Sequence, residues 1–124
     1  MNTYKHSELT GIIIGCAMKV HGVIGPGFPE IIYLRCLLIE LRKRGLACQA
    51  EIERAIFYEG EKVGSRRLDI LVDGVIIVEA KAIFELDNLF YNQVINYLKV
   101  FKMEVGLLIN FGNKSLQYKR FANY

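Results

Sequence analysis

Apolar and polar positions follow a helical period in the first part of the chain. Between residues 7 and 22 one stripe recurs every three or four positions: Leu9, Ile12, Ile13, Cys16, Ala17 and Val20. This spacing predicts an amphipathic helix with Ser7 as its N-cap. Gly25-Pro26-Gly27 ends that helix. A second helix is expected from Pro29 to Arg44, because proline suits the first helical position and Gly45 suits the C-terminal stop.

The pattern then changes to the short, dense apolar runs of β-strands. A first strand is expected over residues 46–58, ending at the turn Glu59-Gly60-Glu61. Between Arg67 and Lys81, β-branched runs flank Asp73-Gly74, which predicts two strands joined by a hairpin turn. The second of them, Val75–Val78, is apolar at every position, as in a strand buried on both faces.

A third helix and two more strands complete the predicted order. The helix is expected from a cap at Asp87 to about Lys102, with Phe90, Val94, Leu98 and Phe101 on its buried side. Strands are expected at Val105–Asn110 and, after Gly112-Asn113, at Leu116–Phe121. The order ααβββαββ predicts an α/β fold of the mixed α+β kind, with a mixed central sheet flanked by helices. We expect residues 1–124 to form a single domain.

Charged residues at the end of the apolar strand are the first candidates for chemistry. Glu79 and Lys81 are two positions apart, so their side chains share one face of the strand. Asp69 on the preceding strand is a second acid in the same region. Buried charges cost several kcal/mol unless they are paired or bound to a metal. A divalent cation would compensate this cluster.

The loop at Asp73-Gly74 decides whether Asp69 joins that face. A two-residue loop would pair Val72 with Val75 and turn Asp69 away from Glu79. An odd loop length would reverse that orientation, because each one-residue change in register moves a side chain to the other face.

We expect the odd-length loop, Val72-Asp73-Gly74. It would pair Leu71 with Val75 and use Gly74 in a left-handed conformation. Asp69 would then lie diagonally across from Glu79 on the same face, about 7 Å away. That separation suits a bridging metal better than a direct contact.

Composition sets the class of protein. The chain has 124 residues, 52% of them hydrophobic, and a net charge of +3, which favours a globular core and is compatible with a polyanionic partner. Cys16, Cys36 and Cys48 lack metal-site spacing and resemble the reduced core thiols of a cytosolic protein. The sequence opens without a signal-peptide pattern, and no uninterrupted apolar run approaches about 18 residues. We therefore expect a cytoplasmic protein that does not enter a membrane.

A known family pattern covers these residues. Asp69, nine further residues and then Glu79-Ala80-Lys81 resemble the motif of the PD-(D/E)XK nuclease superfamily. Residues 27–33 also resemble the Gly-x-x-Glu-x-x-Tyr pattern that names the GxxExxY protein family, a group assigned to that superfamily. The resemblance spans roughly residues 9–121 and implies a restriction-endonuclease-like core. Leu68 replaces the superfamily's proline before the aspartate, and Ala80 stands where leucine is expected. Neither change removes a metal ligand.

The resemblance implies a role for each polar side chain of the motif. Asp69, Glu79 and the backbone carbonyl of Ala80 would bind Mg²⁺ or Mn²⁺, with Glu30 completing the metal shell. Lys81 would orient or help to deprotonate the attacking water.

Two further pairs of residues would assist the reaction. Gln93 and Tyr97 match a Gln-x-x-x-Tyr element, share a helix face and would steady Lys81 or a backbone phosphate. Arg66 and Arg67 would contact phosphate. The implied activity is metal-dependent hydrolysis of nucleic-acid phosphodiesters, with DNA as the substrate.

Other interpretations of the same residues stay open. Glu79 could pair with Lys81, and Asp69 with Arg66 or Arg67, without any metal. The chain could be a nuclease-fold module that binds nucleic acid or a protein without cleaving. It could also form a homodimer through exposed strand edges near Leu116.

Overall fold

A computed structural model of the chain describes residues 5–123. Its helices are α1 (Ser7–Ile24), α2 (Glu30–Lys43) and α3 (Asn88–Val100). Its strands are β1 (Cys48–Tyr58), β2 (Glu61–Val72), β3 (Ile76–Lys81), β4 (Val105–Asn110) and β5 (Gln117–Ala122). The predicted element order ααβββαββ is confirmed.

The five strands form one mixed sheet in the order β1-β2-β3-β4-β5. Only β3 and β4 run parallel, and the other neighbours are antiparallel. Helix α3 makes the crossover between the two parallel strands, as a parallel connection requires. The central strands β3 and β4 are the most buried, which agrees with their unbroken apolar sequences.

Helices cover both faces of the sheet. Helices α1 and α2 pack on one face, against a cluster that includes Ile70, Val78 and Leu107. Helix α3 packs on the other face, where Leu71, Ile77 and Leu108 contact its buried side chains. The alternation of clusters along β3 places Glu79, two residues after Ile77, on the α3 face.

Helix α1 is long and apolar enough, by length and composition, to cross a membrane: 18 residues with a mean hydropathy of 1.3. The helix contains the charged residues Glu8 and Lys19, so it does not conflict with the expectation that no uninterrupted apolar run approaches that length. In the structure its buried stripe, which includes Ile13, Cys16 and Val20, lies in the same hydrophobic cluster as α2 and the sheet. This stripe of α1 therefore belongs to the core, whereas Met18 and Val23 on the same helix are exposed.

Two of the predicted helix caps need correction. His6, in a left-handed conformation, occupies the N-cap of α1, so Ser7 is already the first helical residue. Pro29 is the N-cap of α2 rather than its first residue, and extended backbone there leads into Glu30. Asp87 caps α3 as predicted, because its carboxylate accepts the Leu89 N–H at 3.0 Å.

The central hairpin has an odd loop, as predicted, but at a different position. Val72 pairs with Ile76, so the loop contains Asp73, Gly74 and Val75. Asp73 and Gly74 both take positive φ, and Val75 is the extra residue before pairing begins. The predicted pairing of Leu71 with Val75 is therefore wrong by one residue on each side.

The strands β1 and β2 extend beyond the rest of the sheet. They pair with each other from Cys48–Val72 to Tyr58–Glu61, whereas the β2–β3 pairing ends at Ile70–Val78. The strand predicted here began near Arg67, so the first half of β2 was not predicted. We call residues 52–67 the arm, since they form a two-stranded extension of the sheet.

Candidate active site

Asp69 lies where β2 separates from β3. The observed register, continued by one pair past Ile70–Val78, places Asp69 directly across from Glu79 rather than diagonally. Beyond that pair the Asp69 carboxylate takes the place of a backbone partner, since its Oδ2 accepts the Ala80 N–H at 2.8 Å. The fork between the two strands thus fixes one acid beside the other.

Glu79 is buried although it is acidic, with a relative exposure of 3%. Burial, and then the charge of Asp69, raise the pKa of Glu79 to about 9. Two carboxylates can bond to each other only when one carries a proton. With Glu79 ionised, its Oε1 has no hydrogen-bond partner. The pair therefore needs either a shared proton or a cation.

Lys81 is half-buried on the same strand, and its Nζ lies 5.5 Å from the centre of the Phe90 ring. The ring on α3 thus stabilises the ammonium through a cation–π contact. Within residues 5–123 neither Glu79–Lys81 nor Asp69 with Arg66 or Arg67 forms an ion pair. The structure therefore does not support the metal-free pairings considered above.

Glu30 begins α2 and approaches the site from the other helical layer. Its side chain is solvent-exposed, yet partial burial raises its pKa, the Lys81 charge opposes this rise, and Asp69 adds to it. These effects place Glu30 within electrostatic reach of both residues. The first turn of α2 also favours an acid through the helix dipole, so this position stabilises the helix in any case.

The residues around Glu30 form a local clamp. Tyr33 is fully buried, and its hydroxyl donates to the Gly25 carbonyl at 2.6 Å and accepts the Phe28 N–H at 3.1 Å. Its ring stacks on Phe111 with centroids 4.8 Å apart. Gly27 has a φ of 113°, a conformation that side chains rarely adopt. The glycine and the tyrosine of the motif thus shape the loop that delivers Glu30.

Gln93 and Tyr97 do share one face of α3. The Gln93 Nε2 donates to the Tyr97 hydroxyl at 3.1 Å. Burial raises the pKa of Tyr97, and the nearby Glu79 charge raises it further. Tyr97 packs in one cluster with Leu68 and Ile77, which lie close in sequence to Asp69 and Glu79, and its hydrogen bond with Gln93 orients the phenol.

Arg66 and Arg67 lie at the base of the arm. Arg67 contacts Glu51 at 3.5 Å, and Arg66 donates to the Ser65 carbonyl at 2.9 Å. Both side chains are exposed, so they have access to a ligand in solvent. Their charges reach the site: Arg67 lowers the pKa of Glu30, and Arg66 lowers that of Tyr97, each as a smaller effect.

A buried asparagine holds the segment that follows Lys81. Asn110, with 0% exposure, accepts the Ile83 N–H and donates to the Ile83 carbonyl, both at 2.9 Å. It also donates to Gln117 Oε1 at 2.9 Å. The Phe111 N–H donates to the Lys81 carbonyl at 2.8 Å. The end of β4 thereby fixes the backbone on the C-terminal side of Lys81, a role that the sequence analysis missed.

A divalent cation fits the carboxylate pair. In the described range 5–123 no group of three or more His, Cys, Asp or Glu side chains is placed to hold a metal ion. Mg²⁺ usually needs only one or two carboxylates, because water and substrate phosphate fill its other positions. The Glu79 Oε1 atom beside Asp69 is a hard oxygen ligand that accepts no hydrogen bond. The residues present therefore suit such an ion.

The sequence also did not predict a groove that lies next to Gln93 and Tyr97. It lies between the arm and α3, has a volume of about 360 Å³, and includes Arg66, Gln93 and Tyr97 in its lining. Asn92 and Asn96 on α3 line it as well. Their spacing of four residues was a usable signal, since it places both amides on one helix face.

Comparison with known proteins agrees with the fold and the motif. Over 95% of its length the chain is similar to a solved structure, the crystal structure of SSO0001, with a TM-score of 0.58 and 18% sequence identity. The chain spans 59% of the length of that protein. No curated protein sequence matches the chain. A family model described as the PD-(D/E)XK nuclease superfamily matches residues 7–121. With this match over most of its length, the chain belongs to the PD-(D/E)XK nuclease superfamily.

Proposed function

We propose that the chain is a metal-dependent nuclease that hydrolyses phosphodiester bonds, with DNA as its substrate. One observation carries the proposal: the buried Glu79 Oε1 has no partner and lies beside Asp69 at the fork between β2 and β3. Nuclease families of this kind generally use Mg²⁺ or Mn²⁺, and both are hard cations that prefer such oxygen donors. We further propose that residues 1–124 act as one domain of the GxxExxY group, with the Gly27, Glu30 and Tyr33 pattern as support.

Three groups would bind the cation directly: the carboxylates of Asp69 and Glu79 and, as we propose, the Ala80 carbonyl. Glu30 is not placed with them as a third direct ligand, so we propose that it completes the metal shell through a coordinated water. The bound ion would lower the pKa of a coordinated water and stabilise charge on the phosphate. The Glu79 proton would leave when the cation binds, because metal ligands must be deprotonated.

The remaining side chains would position substrate and water. The Lys81 Nζ, held against Phe90, would orient the attacking water and offset the negative charge that develops on phosphate oxygens. Gln93 would orient the Tyr97 hydroxyl toward Lys81 or a backbone phosphate. Arg66 and Arg67 would bind flanking phosphates, since guanidinium groups match their geometry.

Cleavage of labelled DNA in the presence of Mg²⁺ or Mn²⁺ tests this function. Wild-type protein should cleave, and Glu79→Ala should not. Glu8→Ala is a matched control because Glu8 is an exposed acid on α1. RNA of the same sequence tests the choice of DNA. An active Glu79→Ala variant would contradict the proposal, and so would a wild-type protein that cleaves equally well in EDTA.

A non-catalytic module remains the second candidate. The two-carboxylate site lacks a third acidic, histidine or cysteine ligand among residues 5–123. This alternative predicts binding that weakens steeply with salt, no cleavage with either metal, and indifference to Glu79→Ala.

Homodimer formation is a separate part of the proposal. Strand β5 is a terminal strand of the sheet and follows Leu116, so an edge is present at the position expected from the sequence. Light scattering at several protein concentrations tests it: a monomer mass throughout would remove the dimer. The cytoplasmic location stays a prediction.

A further inference from the structure

The groove between the arm and α3 has two kinds of wall. Ile56 on β1, with Leu89 and Val100 on α3, supplies apolar surface. Asn92 and Asn96 supply amides and are exposed. Such a mixture of apolar surface and a few polar groups is typical of sites for small organic ligands.

The positive charge in the groove favours a ligand that carries a negative charge. Among the described residues, Arg66 is the one charged side chain that lines the groove. Its guanidinium has five donor hydrogens, and only the Nη1 bond to the Ser65 carbonyl occupies it among the hydrogen bonds of the described residues. A ligand with one phosphate and a planar, hydrogen-bonding apolar body would match this lining.

We propose that this groove binds one unpaired nucleotide of a nucleic-acid strand, adjacent to the phosphate that is cleaved. The inference rests on the proposed function, because it places the nucleotide beside the proposed catalytic groups. The apolar wall would pack on the face of the base, the asparagine amides would bond to its edge, and Arg66 would bind its phosphate.

The size of the groove favours an unpaired nucleotide over a base pair. Its volume of about 360 Å³ lies at the lower end of ligand sites, which span roughly 300–1,000 Å³. A base inside a duplex has its pairing edge occupied by its partner, so Asn92 and Asn96 could not reach that edge. An unpaired base presents the edge freely.

The groove is continuous with the catalytic region. Its inner wall contains Gln93 and Tyr97, whose hydrogen bond is described above. Tyr97 packs in one hydrophobic cluster with Leu68, which is next to Asp69, and with Ile77, which is two residues before Glu79 on the same face of β3, so this wall lies close to the carboxylate pair. A nucleotide in the groove would therefore place its neighbouring phosphate toward Asp69 and Glu79. Single-stranded ends, overhangs and flaps present such a nucleotide, and blunt duplexes do not.

Binding without cleavage tests the inference. Fluorescence anisotropy in EDTA would compare a single-stranded oligonucleotide, a duplex with an unpaired overhang, and a blunt duplex of the same sequence. Comparing DNA and RNA versions of the single strand would show which of the two the groove binds more tightly. The variants are Asn92→Ala with Asn96→Ala and, separately, Asn96→Trp, which fills the groove. Both positions are exposed on a helix, where alanine is the better helix former, so the double variant should fold.

The expected result is tighter binding of the overhang and the single strand than of the blunt duplex. The double variant should weaken that binding about tenfold or more, since each lost hydrogen bond is worth a factor of about five. Asn123→Ala is the control, because Asn123 follows β5 at the other edge of the sheet. Equal binding of all three substrates, or unchanged binding by both groove variants, would overturn the inference.

The two proposals can fail separately. Metal-dependent cleavage that requires Glu79, with no effect of the groove variants on binding or cleavage, would refute the groove and leave the nuclease proposal standing. Groove-dependent binding of unpaired strands with no cleavage in either metal would refute the nuclease proposal and support the groove as a nucleotide site.

Discussion

Asp69 and Glu79 lie side by side at the fork of the sheet, and the first of them raises the pKa of the second. Asp69 is anchored there because its carboxylate accepts the Ala80 N–H at 2.8 Å. Glu79 is buried and has a pKa of about 9, so without a cation it holds a proton at neutral pH. By linkage, this raised pKa makes the stability of the metal-free protein depend on pH.

The metal-free protein should become less stable as the pH rises from about 4.5 to about 9. Over this range unfolded Glu79 has lost its proton and folded Glu79 still holds it, so the folded state binds more protons and stability falls. Glu79→Gln should flatten this part of the profile. Urea denaturation in EDTA at several pH values measures it.

Glu8→Gln is the control for that experiment, because an exposed carboxylate should leave the slope unchanged. If Glu79→Gln keeps the wild-type slope, Glu79 is not the group that titrates.

Lys81→Ala should keep metal binding and lose cleavage. In the proposed mechanism the lysine would act on water and phosphate rather than bind the cation, and positioned groups of this kind contribute about 10²- to 10⁴-fold to the rate. Melting curves with and without Mn²⁺ report metal binding, and single-turnover cleavage reports the chemistry.

Lys119→Ala is a matched control for Lys81. Lys119 also lies over an aromatic ring, with its Nζ 4.9 Å from the centre of Tyr91, but it belongs to β5. Full activity of Lys81→Ala would remove this lysine from the mechanism. Phe90→Leu should give an intermediate loss, because the ammonium stays but its ring contact is removed.

Tyr33→Phe should lower the free energy of unfolding by about 1–2 kcal/mol, because the buried Gly25 and Phe28 backbone groups lose their shared partner. It should also reduce cleavage, since the loop before Glu30 loses its clamp. Tyr118→Phe is the control: Tyr118 is 46% exposed, and its change should have little effect. Equal stability of the two variants would show that the hydroxyl does not hold the loop.

Much of the fold was predictable because the apolar patterns were strong. The buried strands β3 and β4 and the helix cap at Asp87 follow from local sequence. The arm could not be predicted in the same way. The first half of β2 is polar, and it adopts a strand conformation because it pairs with β1.

The alternation of side chains between the two faces of the sheet is also broken where the arm joins the sheet. Ala50 and Ile70 pack on the α1–α2 side, whereas Ile52 and Leu68, each two residues away, pack on the α3 side. Glu51, with a φ of 53°, lies at this switch. Alternation alone predicts one face for all four apolar residues, so the switch could be seen only in three dimensions.

The sequence predicted that Asp69 and Glu79 would lie on one face of the sheet, but it did not predict their exact arrangement. The odd length of the hairpin loop brings Asp69 to the face of Glu79, as the register of β2 and β3 shows. The exact pairing depended on Asp73 and Gly74 both adopting positive φ, which sequence spacing does not reveal. The Phe90 contact and the groove arise from packing between distant segments.

The most direct test of the account is an anomalous difference map from a crystal soaked in Mn²⁺. The account predicts a peak between the carboxylates of Asp69 and Glu79, and its loss in Glu79→Ala. A soaked crystal that has no peak there, under conditions in which the protein cleaves DNA, would contradict the proposed metal site.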